Sequence, residues 1–210
     1  MIRKISGAEF RLPLLIGIFR FPPLEAIILN KTMSLIVVTS ALIFRTKTIS
    51  LATMSSHWLI MLNLLVGSIV GAWFGAGIAV KLKTKTLYKT IAILLAAIAG
   101  VLIFGHQASA DGISIICSSN VQIALGVLAG FVIGIFAAVL GVAGGELLIP
   151  TLILLFGVDI KLAGSLSLAI SLPTMLVGFA RYSQDRSFSV IMKNKLFVLI
   201  MAAGSTIGAF

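Results

Sequence analysis

The chain has 210 residues, 60% of them hydrophobic and 10% charged, with a mean hydropathy of +1.19; soluble domains carry about 25% charged residues, so a water-facing surface cannot be assembled from it and it reads as an integral membrane protein. The net charge of +10 does not point to nucleic acid, because the cations gather in short loops between apolar spans, with no basic patch interleaved with aromatics. A single cysteine, Cys117, excludes an intrachain disulfide and a cysteine metal cluster.

The chain opens on Ser6-Gly7-Ala8-Glu9 and Pro13, in an apolar stretch interrupted by Arg11 and Arg20 and lacking the small-residue cleavage site of a signal peptide. A span of about 20 apolar residues crosses a bilayer core of roughly 30 Å, and residues 26–44 form the first. Asn30 and Lys31 lie about five residues into it. Lys31 either snorkels to the interface as an anchor or offers its charge to an anion beside Asn30. Residues 58–80 form the second span, and its glycines at 67, 71 and 75 make a small-residue packing face. Lys81, Lys83, Lys85 and Lys89 crowd the turn into the third, 87–104. The positive-inside rule places that turn in the cytoplasm and the loop 106–120, which has no Lys or Arg, on the other side. His57 and His106 fall at segment ends and read as surface residues rather than a metal pair.

The span 121–140 carries Gly130 and Gly134 on one face and leads into the densest constellation of the chain, Gly141-Val142-Ala143-Gly144-Gly145-Glu146, with Pro150 after it. Three glycines in five residues disfavour helix and predict an unwound joint. Such a joint survives at membrane depth where it lines a cavity or is buried in protein. Its free N–H groups and the positive end of the following half-helix suit an anion. Glu9 and Glu146 border membrane segments, where a carboxylate is expensive and could carry a proton. The plainer alternative is a tight turn with Glu146 as the N-cap or first-turn carboxylate of the next helix. If residues 147–158 enter and return on one side, the later parity shifts; otherwise the cationic loop 181–195 falls outside, against the positive-inside rule. The span 162–180 holds Ser165, Ser167, Ser171 and Thr174, with a kink predicted at Pro173. Each hydroxyl alone reads as a partner for helix backbone, the cluster as a site. A last segment, 196–210, carries Gly204 and Gly208, and Arg45 and Arg181 close corresponding helices as interface anchors.

The chain matches itself: its opening stretch, Met1 to Trp73, lies over Ala138 to Phe210 without a gap. Gly7, Glu9 and Pro13 fall on Gly144, Glu146 and Pro150; Ser34 and Leu35 on Ser171 and Leu172; Gly67 and Gly71 on Gly204 and Gly208. Asn30-Lys31 falls on Ser167-Leu168. An internal duplication in a membrane chain is a common build of a secondary transporter, with the substrate between the halves. The expected fold is therefore an all-α polytopic helix bundle of two tandem homologous halves, 1–110 and 121–210, each with a glycine-rich broken helix.

The run 141–150, its echo Gly7-Ala8-Glu9-Phe10-Arg11-Leu12-Pro13, and the segments 25–45 and 162–182 resemble the TauE/SafE sulfite exporter family, also called the toluene sulfonate uptake permease family. The resemblance covers nearly the whole chain and implies about eight helices from two four-helix halves. It also implies a substrate among sulfite, sulfonates and related organosulfur or carboxylate anions. Carried over by position, Gly7 and Glu9 with Gly141, Gly144, Gly145 and Glu146 form a central site, with Asn30 and Ser167 on neighbouring helices; Lys31 and Ser165 lie beside these. The chain departs from the family pattern in lacking a helix before Met1 and one and a half after Phe210, so it is expected to be a piece of a longer pattern.

The leading expectation is a secondary carrier for small anions in a bacterial plasma membrane, driven by a proton or sodium gradient. Its partners are the lipid bilayer, the anion and the coupling ion, with a homo-oligomer or a complementing chain also open. No cofactor is expected, and no Gly-x-x-x-x-Gly-Lys-Ser/Thr run marks a nucleotide site. No His-Glu metal motif or Ser-His pair within one span argues for an enzyme. The alternative is a truncated, non-transporting membrane subunit or decayed gene product that needs a partner chain.

Overall fold

The computed structural model describes residues 8–45, 57–110 and 119–207. Gly7 and the side chain of Glu9 lie outside the described residues. Every regular element among them is a helix: α1 (Ala8–Gly17), α2 (Pro23–Arg45), α3 (Trp58–Lys81), α4 (Thr84–Ala110), α5 (Ser119–Leu140), α6 (Gly145–Phe156), α7 (Ile160–Tyr182), a 3-10 turn (Arg186–Ser189), α8 (Val190–Lys193) and α9 (Lys195–Ile207). Helices are the expected solution, because backbone groups in lipid must bond within their own segment. α2, α3, α5 and α7 are long and apolar enough to cross a bilayer, and the segment ending in α8 meets α9 at 70° as a bent pair that together could make a fifth span. The protein is an all-α, multi-pass membrane protein.

Lipid is as apolar as leucine, so helices in a membrane associate by close packing rather than by the hydrophobic effect. α3 and α5 make the most extensive contact in the chain. A Cβ on Gly67 or Gly71 would be driven into the carbonyl of Val127 or Phe131, and one on Gly130 or Gly134 into that of Leu64 or Ser68. A Cβ on Gly75 would sit 2.9 Å from the Cα of Ile135. The two backbones therefore touch, as the glycine spacing predicts. These contacts rise together in sequence, so α3 and α5 run parallel.

The other directions follow from side-chain bonds. The Tyr182 hydroxyl donates to the Ala138 carbonyl at 3.0 Å, and Arg181 lies over Trp73, 5.5 Å from the ring centroid; α7 thus ends where α3 and α5 end. Asn30 and Lys31, near the start of α2, bond to the last turn of α5, so α2 starts at that end and runs antiparallel to α7. α6 turns back along α5: Gly144 packs on Ile133 and Ala137, and Gln122 donates to the Leu155 carbonyl at the far end. Phe197, at the start of α9, stacks on Phe19 and Phe21, with centroids 5.0 and 5.8 Å apart, just ahead of α2.

α7 runs as one helix with Pro173 inside it. Two expectations change. α6 carries the chain from the end of α5 to the far end, rather than entering and returning on one side, so the Arg181–Lys195 cations share one end of the molecule with Lys81, Lys83, Lys85 and Lys89. α4 is longer than the apolar run, and His106 lies inside it.

Candidate functional site

The buried polar residues gather on the helices around the α2–α7 contact. Asn30, Lys31 and Ser34 come from α2; Ser165, Ser167, Ser171 and Thr174 from α7; Ser68 from α3; and Arg11 from α1. Asn30 and Lys31 are fully buried, and Arg11 is 9% exposed. Such groups are costly away from water and mark functional regions in membrane proteins.

The glycine joint explains part of this seam. A helix end leaves its last four carbonyls without partners. α5 stops at Leu140 because Gly141 enters the left-handed region at φ 65°, which only glycine adopts freely. The N–H groups of Gly141 and Val142 fold back to the carbonyls of Ala138 and Ala137 at 3.2 and 3.1 Å, forming a Schellman motif. Side chains from two other helices complete the cap. Asn30 Nδ2 donates to Leu140 at 3.0 Å, Lys31 Nζ to Ala137 at 3.4 Å, and the Tyr182 hydroxyl to Ala138. The Lys31 ammonium therefore lies at the negative end of the α5 dipole, where a cation is favoured. A Cβ on Gly178 would meet Lys31 Cε and Nζ at 2.9 Å, so this glycine of α7 makes room for the cation. Lys31 does not snorkel to an interface: it is buried and turned inward.

On the far side of the joint, α6 begins after Gly144, at φ 74°, with no side-chain cap on its first turn. Glu146 sits in that first turn rather than at the capping position, and both its carboxylate oxygens are shielded. A Cβ on Gly145 would lie 3.8 Å from Ser167 Oγ, so the positive end of α6 faces the hydroxyl side of α7.

The hydroxyls fall into two groups. Ser165 and Ser167 bond back to the Lys161 and Gly164 carbonyls at 3.4 and 2.9 Å, and Thr174 to that of Ile170 at 2.8 Å. None of these acceptors is Ala169, whose carbonyl Pro173 leaves without its helical donor. Thr174 also meets Ser68 at 2.7 Å, tying α7 to α3. Ser34 instead receives a bond from Arg11 Nη2 at 2.9 Å. Ser171 Oγ is buried with no hydrogen-bond partner among the described residues.

The structure thus brings Asn30, Lys31 and Gly141 together, and Gly145 with Ser167. Ser165 points its bond into its own helix, and Gly7 and the Glu9 side chain fall outside the described residues. Arg11 is the polar residue that sequence reasoning passed over; its signal was a cation in the middle of an apolar stretch. Two open grooves, of about 480 and 330 Å³, lie elsewhere, on α4, α5 and α6 and between α3 and α5. Thr151 is the one polar side chain lining either, and it bonds to Leu147 of its own helix. They suit lipid chains, not a charged solute.

Set beside known proteins, residues 5–210 match the family described as Sulfite exporter TauE/SafE. No curated protein and no solved structure matches the chain.

Proposed function

The chain belongs to the Sulfite exporter TauE/SafE family, and on that footing we propose that it is a secondary carrier of small oxyanions, sulfite or organosulfonates, coupled to a proton or sodium gradient. The observation that carries this reading is the seam at the α2–α7 contact, where two cations, Arg11 and Lys31, are buried among hydroxyls inside a membrane protein. A permeant anion needs compensating charge and hydrogen-bond donors along its path, and this seam supplies both. Glu146, in the first turn of α6 beside the joint, is the group proposed to take up the coupling ion.

The arrangement of the helices supports two exchangeable halves. Under the register that lays Gly7 on Gly144, the first residues of α2 and α3 (Pro23 and Trp58) fall on those of α7 and α9 (Ile160 and Lys195), and α1 falls on α6. Each pair runs in opposite directions, by the contacts given above. These directions support reading the chain as an inverted repeat, in which rocking one half against the other opens a central site to alternate sides. The end that gathers Lys81 to Lys89 and Arg181 to Lys195 is proposed to face the cytoplasm of a bacterial plasma membrane.

The test is reconstitution into liposomes and uptake of radiolabelled sulfite under an imposed proton or sodium gradient. Accumulation above equilibrium that collapses with an uncoupler or ionophore is the expected result. Glu146→Gln should lower gradient-driven accumulation at least about tenfold, the scale of one lost charge contact, while sparing passive exchange. Accumulation unchanged in that variant would remove Glu146 from the coupling step, and absence of any sulfite flux would remove the carrier reading.

A further inference from the structure

Hydroxyls inside a membrane helix ordinarily bond back to a carbonyl three or four residues earlier, because nothing else is available. Thr32, Thr39 and Ser40 do so on α2, and Ser165, Ser167 and Thr174 do so on α7. Ser34 and Ser171 are the exceptions on these two helices. Ser34 accepts from Arg11, which leaves its own O–H able to donate, and Ser171 Oγ has no partner among the described residues. Both are 1% exposed. They are also the same position of the internal repeat, one in each copy.

Their placement brings them to either side of one level. α2 and α7 are antiparallel, and Lys31 lies against Gly178. Each step along α2 therefore matches a step back along α7, and the repeat register makes the two helices cross equivalent positions near Ile36 and Pro173. Ser34 and Ser171 lie two residues to either side of that level, about 3 Å each along the axis. Ser34 shares a face with Asn30 and Lys31, four and three residues away. Ser171 shares a face with Ser167, Thr174 and Gly178, which touch α6, α3 and α2 respectively.

We infer that Ser34 and Ser171, together with Arg11, are the paired contacts of one oxyanion at the pseudo-symmetry centre of the bundle. The inference rests on the carrier reading above and names its binding residues. Two hydroxyl donors from opposite halves and one guanidinium match the oxygens of a sulfite or sulfonate head, and the guanidinium presents its N–H groups in a planar fork. The charge comes from one half: the repeat position of Arg11 is occupied by Leu148, 2% exposed. The site thus has symmetric donors and an asymmetric charge. Anchoring the anion to α1 through Arg11 lets the Ser171 contact break and form as α7 moves past α2.

The experiment measures binding and transport on the same purified, full-length protein, with sulfite and methanesulfonate as probes. Binding is read as the anion-dependent shift in melting temperature and by calorimetry; transport is read in proteoliposomes. Ser171→Ala and Ser34→Ala should each weaken binding about tenfold, the scale of a lost hydrogen bond to a charged group, and raise KM by a similar factor. Ser171→Ala should melt without anion at the wild-type temperature or slightly above, because its hydroxyl bonds to none of the described residues. Arg11→Gln should abolish the anion-dependent shift, and Arg11→Lys should restore part of it. Wild-type protein that binds both anions, with both serine variants within twofold of it, overturns this assignment and leaves the carrier reading standing. Wild-type protein that neither binds nor moves either anion overturns both.

Discussion

The α3–α5 contact and the α2–α7 contact lie side by side in one small bundle and are built on opposite rules. In the first, glycines bring two backbones together until no side chain fits between them, and the outward faces carry large apolar residues such as Trp73, Phe74 and Val132. In the second, the contact is lined with hydroxyls, an amide and two cations that cost free energy to bury. On the proposed function, the difference separates an interface built for stability from one built for transport. If that division is right, changes at the glycine contact should cost folding and leave little to assay, and changes at the polar contact should cost activity in a protein that still folds.

The largest expected effect is on the glycine side. Gly71→Ala would place a Cβ against the Phe131 carbonyl and Cα, backbone atoms that cannot turn aside. Overpacking of this kind costs about 3 kcal/mol, so the variant should lose most of its folded yield by size-exclusion chromatography and melt well below the wild type. A Gly71→Ala protein of normal yield and melting temperature would mean that α3 and α5 are not held in backbone contact.

On the polar side, Lys31→Met keeps most of the side-chain volume and removes the ammonium. The Gly141 and Val142 N–H groups still cover the Ala138 and Ala137 carbonyls, so the stability loss should be about 1 kcal/mol, the net worth of one hydrogen bond. Sulfite flux should fall more than about tenfold, the scale of one charged contact, and that gap between stability and activity is the sharpening result. Equal, small losses in both would make Lys31 a cap for α5 and nothing more.

How much of this was legible in the sequence follows the same division. The spans, the glycine stripe and the break at Gly141 to Gly144 were readable, because hydropathy and glycine spacing report directly on lipid and close packing. The role of Lys31 was not: a lysine five residues into a span is compatible with snorkelling or with burial, and the α5 carbonyl it caps lies 106 residues away. The Arg11–Ser34 bond joins helices through a contact that no local pattern encodes. Glu146 was read as an N-cap or a first-turn carboxylate; Gly144 holds the capping position in a left-handed conformation, and Glu146 stands in the first turn. The self-match of Gly7, Glu9 and Pro13 with Gly144, Glu146 and Pro150 was visible, but a match along the chain is silent about direction in space; α6, running back along α5 to its far end, is what supports inversion.

The smallest expected effect is the strictest check on the glycine side. Gly100 lies inside α4, and a Cβ added there would meet nothing within 4 Å among the described residues. With no close neighbour to offend, replacing it by alanine should act through the chain alone, lowering backbone freedom in the unfolded state and favouring helix by about 0.5–1 kcal/mol. Gly100→Ala should therefore melt slightly higher than the wild type, with unchanged transport. The same substitution would then have opposite signs at Gly71 and Gly100, set by what stands opposite the missing Cβ. A clear loss of stability at Gly100 would show that this open face is packed in the membrane, and a second copy of the chain, sought by crosslinking through that face, would be the first occupant to test.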